Sequence, residues 1–253
     1  MGKIALVVGG TGMAGNGVIP YLLNQAGEEY DAAICLARTV DETTFASRTE
    51  REYIPMPCNL DDKDAVVEAL VERGCPPITH VYWFADANRP PALGNTVLMR
   101  ALLAATDKMA PVVHGIVKIS PQFVRDQLYG TQARLAGSGR NARNQAWMSN
   151  VLDALAEAGA PLESVVLGTG GKHYGMHLGP GLWAEYSSPF YEEGTKCPGP
   201  LSYFDAVEFL QRRAELDGFS WNEVRPTFIV GSCPELTGAT QSFAVAFATY
   251  AVI

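Results

Sequence analysis

A chain of 253 residues, 47% hydrophobic and 18% charged, is long and apolar enough to bury a sizeable core. Its net charge of −8 at pH 7 argues against the basic face that a nucleic-acid partner needs. Five cysteines (Cys35, Cys58, Cys75, Cys197, Cys233) are odd in number and never spaced as Cys-x-x-Cys, which points away from a disulfide frame or a zinc site and towards reduced thiols in a cytoplasmic protein.

The first apolar run, Ile4–Val8, reads as a buried strand, so no signal peptide is expected ahead of it. No uninterrupted apolar run reaches membrane-spanning length, so no membrane partner is expected. Gly9, Gly12 and Gly15 follow in a G-x-x-G-x-x-G spacing, and Val18, Tyr21, Leu22 and Leu23 then recur with a helical period. Strand, glycine turn and helix stand in the order of a dinucleotide-binding βαβ unit. Gly9 suits the tight turn, Gly12 a close approach of a pyrophosphate, and Gly15 close packing of helix on strand. The helix N-terminus adds N–H groups and a positive dipole end. Gly9, Thr11, Gly12, Met13 and Gly15 are the cofactor-binding candidates of this turn.

Tyr30–Ala37 is the second predicted strand, followed at once by Arg38. At this strand end an acid holds the ribose 2′-hydroxyl of NAD, whereas an Arg holds the 2′-phosphate of NADP. Arg38 with Thr39 favours NADP, although Asp41 and Glu42 lie close by. Glu52–Pro57 is a short third strand, after which Asn59, or the backbone of Leu60, stands where the adenine amino group is commonly met. Asp64–Arg73 is an amphipathic helix with Asp61 or Asp62 as its cap. Ile78–Phe84 is the fourth strand. Residues 90–143 fit no alternating scheme and are read as an insertion. Gln145–Gly159 is helical, with Trp147, Met148, Val151, Leu152 and Leu155 on one face. Leu162–Leu167 is strand five, Tyr203–Asp217 a helix, and Glu223–Gly231 strand six. The alternation predicts an α/β, Rossmann-type, doubly wound parallel sheet: a single NAD(P)-binding domain over 1–253.

In such sheets ligands bind outside the carboxyl ends of the strands. Lys172 follows strand five and Tyr203 opens the next helix, so both are expected at that edge. A lysine beside a tyrosine lowers the phenol's pKa from about 10 and lets its hydroxyl stabilise a developing enolate or alkoxide. The Tyr-x-x-x-Lys pair of short-chain dehydrogenases is absent, since Val207 stands four residues after Tyr203. His173 and Tyr174 read as structural or cofactor-facing, and His80 as a packed strand histidine. The four histidines show no metal-ligand spacing, so no metal is expected. No Gly-x-Ser-x-Gly occurs, which removes serine-hydrolase chemistry.

Gly168-Thr169-Gly170-Gly171-Lys172-His173-Tyr174, with Gly179-Pro180, resembles the TGxKHYxGP signature of the progesterone 5β-reductase/iridoid synthase-like family. These are NADPH-dependent enone reductases among the extended short-chain dehydrogenases. Thr79-His80-Val81-Tyr82, Asn88-Arg89, Asn150–Ala154, Pro189-Phe190, Arg225-Pro226 and Ile229-Val230-Gly231 agree with it, as does the tail Ala248–Ile253. The resemblance implies that Lys172 is the catalytic lysine and Tyr203 the catalytic tyrosine. It also implies hydride delivery from NADPH to the β-carbon of an enone or enal. Tyr203 would then stabilise the enolate oxygen, with Lys172 tuning it or positioning the cofactor ribose.

The sequence also departs from the family. Leu201-Ser202 stand where Asn-Phe is expected, and Ala85-Asp86 replace a Thr-Trp pair. Two extra residues among Gly175–Leu178 separate Lys-His-Tyr from Gly179-Pro180. By the resemblance, the substrate domain is truncated after Ile253. The expected function is reduction of a C=C or carbonyl in a small apolar substrate. The alternatives are a non-catalytic NADP-binding or partner module and a cofactor-scaffolded isomerase or cyclase. The apolar tail Phe243–Ile253 needs cover, which suggests a homo-oligomer or a partner chain.

Overall fold

Ile4–Val8 needs apolar cover on both faces, and finds it in the middle of a sheet. The structure is a computed structural model describing residues 2–24, 29–45, 53–72, 76–87, 141–175, 190–193, 196–197, 201–227 and 229–230. The tail Phe243–Ile253, the segment Gly175–Leu178 beyond Gly175, Gly179-Pro180, Asn88-Arg89 and the insertion up to residue 140 lie outside the described residues.

In chain order the strands are β1 (Lys3–Val8), β2 (Tyr30–Ala37), β3 (Tyr53–Pro57), β4 (His80–Trp83), β5 (Ser164–Gly168) and β6 (Ser220–Val224). The helices are α1 (Met13–Asn24), α2 (Lys63–Val67), α3 (141–157) and α4 (Ser202–Asp217). All five strand pairs are parallel, in the order β3-β2-β1-β4-β5-β6. The protein is thus an α/β, Rossmann-type doubly wound sheet, as the alternation predicts. Ala5 to Val8 are fully buried. Period-2 alternation divides the strands between two cores. Leu6, Val8, Ile34, Leu36, Val81 and Val165 point to one face, where α2, α3 and α4 contribute Val66, Val151, Leu155 and Leu210. Ala5, Val7, Ala33 and Cys35 point to the other, against Ile19, Leu22 and Leu23 of α1. Each fully buried Leu or Ile contributes about 1.5–3 kcal/mol, so the alternation fixes which face each crossover must cover. Winding runs outward from β1 in both directions, which leaves a topological switch point between β1 and β4.

Most elements shift by a residue or two from their expected bounds, and three differ in an informative way. β6 is Ser220–Val224, beginning and ending earlier than the expected Glu223–Gly231. Its last pair is Gly168 with Val224, and Pro226, two residues on, has no N–H to extend the ladder. The second helix is α-helical only over Lys63–Val67 and widens into a π turn over Glu68–Glu72. Asp62 is its cap, the side chain accepting from the backbone N–H groups of Asp64 and Ala65 at 3.1 and 3.2 Å. Finally, α3 is helical from the first described residue of that segment, 141, so it includes residues 141–144 ahead of the expected start at Gln145. It stops at Gly159, whose φ of +64° is the left-handed conformation common just past a helix end.

Candidate active site at the carboxyl edge of the sheet

The glycine turn has the geometry its spacing requires. Gly9 has φ +81°, and its N–H donates to the Leu36 carbonyl at 2.8 Å. A Cβ there would stand 2.8 Å from the backbone N of Ala85, so the exit of β4 passes directly against the turn. A Cβ on Gly15 would meet the Gly10 Cα at 2.5 Å and the Gly9 carbonyl at 2.6 Å, so α1 packs tightly on the loop. Gly12 is exposed, and a Cβ there would meet only the Gly9 carbonyl, at 3.1 Å. The open side of the turn is therefore backbone. Thr11 is half-buried and the side chain of Met13 is buried beneath the start of α1, whose first N–H groups have no acceptor inside the helix. A pyrophosphate fits this cradle. Gly10 was not singled out by the sequence, although a Cβ there would lie 2.5 Å from the Cys35 sulfur. The Gly-Gly doublet was the available signal.

Arg38 leaves β2 exposed beside the exit of β3, where Ala37 pairs with Pro57 and the Cys58 N–H donates to the Ala37 carbonyl at 2.9 Å. Asp41 is committed elsewhere, accepting from the Thr43 N–H and hydroxyl at 2.9 and 2.7 Å. Asn59 is exposed, with its carbonyl accepting from the Asp62 N–H at 3.0 Å. Leu60 is buried, and its carbonyl accepts from Asn150 Nδ2 at 3.4 Å. Asp61 takes a forked pair of bonds from Arg143, with Nε to Oδ1 at 2.6 Å, and one from the Trp147 indole at 2.7 Å. The Arg143 bonds, foremost, hold the Asp61 carboxyl below its usual range, and the charge of Arg38 adds to that. Sequence reasoning missed this clamp, because its partners are 82 and 86 residues apart.

At the exit of β5, the single turn Gly171–Tyr174 carries Lys172, which is exposed. Tyr203 is half-buried in the first turn of α4, and its hydroxyl lies 3.6 Å from where a Cβ on Gly170 would stand. The fold thus gathers Tyr203 and the Lys172 turn at one strand end. The turn is tied to β6 by hydrogen bonds from Thr169 N–H to the Val224 carbonyl and from Gly171 N–H to the Pro226 carbonyl, at 2.9 and 3.1 Å. Behind it, buried Glu223 accepts from the Thr169 hydroxyl at 2.6 Å and from Arg225 at 2.5 Å. Arg225 also donates to the Tyr174 hydroxyl at 2.8 Å. Burial pushes the Glu223 carboxyl up, but the hydrogen bonds from Arg225 and Thr169 outweigh it and hold the group below its ordinary value. Buried His173 stands 3.5 Å from Glu223 without a hydrogen bond, and burial foremost, with Arg225 nearby, holds its pKa below the ordinary histidine value. Its ring packs edge-on against Phe204, next to Tyr203. His173 thus packs behind the turn and Tyr174 braces Arg225, while no motif or spacing pointed to Glu223. Among the described residues, no group of His, Cys, Asp and Glu is arranged to hold a metal ion.

The profile of a family described as PRISE-like Rossmann-fold domain matches residues 129–251. The chain is 22% identical over 249 residues to the short chain dehydrogenase gsfE of Penicillium aethiopicum, covering 97% of this chain and 52% of that protein. It thus spans about half the length of that curated relative. The WbmH enzyme of Bordetella bronchiseptica, solved with NAD+, superposes with a TM-score of 0.54 at 13% identity, covering 99% of this chain and 63% of that one. UDP-glucose 4-epimerase of Bifidobacterium longum, solved with NAD+ and UDP, gives 0.52 at 14%, covering 88% and 52%. At these identities the likeness to solved structures is one of fold. The match over 129–251 agrees with the resemblance read from Lys172-His173-Tyr174.

Proposed function

We propose that this chain, which carries a PRISE-like Rossmann-fold domain and is homologous to a short chain dehydrogenase, is an NADPH-dependent oxidoreductase. Its reaction is reduction of the activated C=C of an enone or enal, or of a carbonyl, in a small apolar substrate. One observation carries the reading. The glycine turn, Arg38, Lys172 and Tyr203 all stand at the carboxyl edge of the same sheet, on both sides of its switch point. Neighbouring strands are about 4.8 Å apart, so the exits of β1 and β5, separated by β4, lie about 10 Å from each other. That span suits a dinucleotide with its phosphates on the glycine turn and its far end near β5.

Bound NADPH would supply the hydride. The chain's own residues would do the rest. The backbone of Gly9–Met13 holds the pyrophosphate, and Arg38 holds the 2′-phosphate. Asn59 and the backbone of Leu60 border the adenine. The Tyr203 hydroxyl donates a hydrogen bond to the substrate oxygen as negative charge gathers there. The Lys172 ammonium adds positive potential and fixes the ribose. Thr169, Glu223 and Arg225 keep the Lys172 turn in place. A reducing compartment, the cytoplasm, suits the buried free thiols of Cys35, Cys58 and Cys197.

Calorimetric titration with NADP+ and NAD+, followed by NADPH consumption with a generic enone, tests the reading. Tyr203→Phe is expected to lower turnover about 100-fold or more while NADP+ affinity stays within about twofold. An unchanged rate refutes the role of Tyr203. Binding without turnover on any enone favours the binding module instead. Product formation without net NADPH consumption favours the isomerase or cyclase.

A further inference from the structure

We infer that Arg143 decides the preference for NADP over NAD by cancelling the charge of Asp61 beside the 2′-phosphate position. The inference rests on the proposed dinucleotide site and adds a residue that no motif in it contains. Arg38 and the Asn59–Asp62 loop leave adjacent strands side by side, joined by the Ala37–Pro57 pair and the Cys58-to-Ala37 hydrogen bond. A 2′-phosphate held by Arg38 therefore has Asp61 as a neighbour. An uncompensated carboxylate at that position opposes the phosphate twice: it repels the dianion, and it competes for the Arg38 guanidinium.

The clamp removes both effects. Arg143 meets the Asp61 carboxylate with its guanidinium fork, the geometry in which an Arg–carboxylate pair is strongest. Trp147, one turn further along α3, donates to the same oxygen and lies under the guanidinium, whose carbon is 5.3 Å from the ring centre. Asn150, a second turn on, holds the Leu60 carbonyl. Three residues on one face of α3 thus fix the loop and neutralise it. Asp41, another acid close to Arg38 in the chain, is engaged by its own turn through Thr43.

The test is titration of the full chain with NADP+ and, separately, NAD+. For Arg143→Met the expected result is NADP+ binding weakened about fivefold with NAD+ binding within about twofold, a difference that shrinks at high salt. Arg143→Lys, which keeps the charge, retains most of the preference, and Arg143→Met combined with Asp61→Asn regains it. Should Arg143→Met not fold, Asp61→Asn alone is expected to keep or raise the preference, and a fall overturns the inference. A wild-type preference for NADP+ that survives Arg143→Met at low salt, or a double variant that regains nothing, overturns the role of Arg143 alone. A wild-type chain that binds neither dinucleotide, or both equally, overturns the underlying reading as well.

Discussion

Gly9 and Gly12 belong to one motif, yet their substitution has different consequences. Gly9 sits at φ +81° with a Cβ position 2.8 Å from the Ala85 backbone, so Gly9→Ala strains the turn and pushes on β4 together. A loss of at least about 2 kcal/mol in unfolding free energy is expected, read from urea denaturation. Gly12→Ala meets only the Gly9 carbonyl at 3.1 Å. Its stability is expected to stay near wild type while NADP+ affinity falls about tenfold or more, as the added methyl holds the phosphates off the backbone. Calorimetry on both variants separates the two roles, and equal effects on stability would refute the distinction. At this scale the sequence was informative wherever backbone conformation demands glycine. It was silent on Glu223, because a carboxylate in a polar strand reads as solvent-facing until Thr169 and Arg225, 54 and 2 residues away, close around it.

Elements were legible in proportion to their burial. β2 matches its expected span because its last five residues, Ala33–Ala37, are buried. β6 did not, since Ser220–Val224 is a polar edge strand, whereas the more apolar stretch after Pro226 invited a longer reading. α2 shows how small a helix can be when its cap is strong. Only five residues are α-helical, and Asp62 satisfies two N–H groups of the first turn. Asp62→Ala is expected to cost about 1 kcal/mol, seen as a lower urea midpoint with an unchanged m-value. A larger loss would mean that the cap also supports the neighbouring Asn59–Asp61 loop.

For the whole molecule, the titrating groups define a window of greatest stability. His173 and His80 have pKa values lowered by burial from 6.5, so the unfolded chain binds protons that the folded one refuses. Their contribution is complete above 6.5 and is lost as the pH falls towards their folded values. Glu223, held below 4.5, adds a second loss at lower pH, when the folded carboxylate must finally protonate. Burial pushes the Cys35 thiol from 9.0 up to about 12, so stability declines again as the pH rises through that range. Urea midpoints are expected to peak between pH 6.5 and 9 and to fall on both sides. His173→Asn should flatten part of the decline just below 6.5, and a decline unchanged in that variant would exclude His173 as a source. The parallel, doubly wound character of the sheet followed from the strand alternation. The clamp did not, because it depends on how α3 lies across the β3 exit.

β1 lies at the centre of the sheet, between β2 and β4. Its first neighbour follows within one helix, but the second is far along the chain: Ile4 meets Thr79 across 75 residues. During synthesis the β1–α1–β2 unit emerges well before β4 and can pair early, leaving one edge of its most apolar strand bare. That edge stays open until the ribosome has released β4, and the loop that closes it is long enough to make pairing the slow event. The strand that anchors the glycine turn is therefore also a stretch exposed to misassociation in the nascent chain.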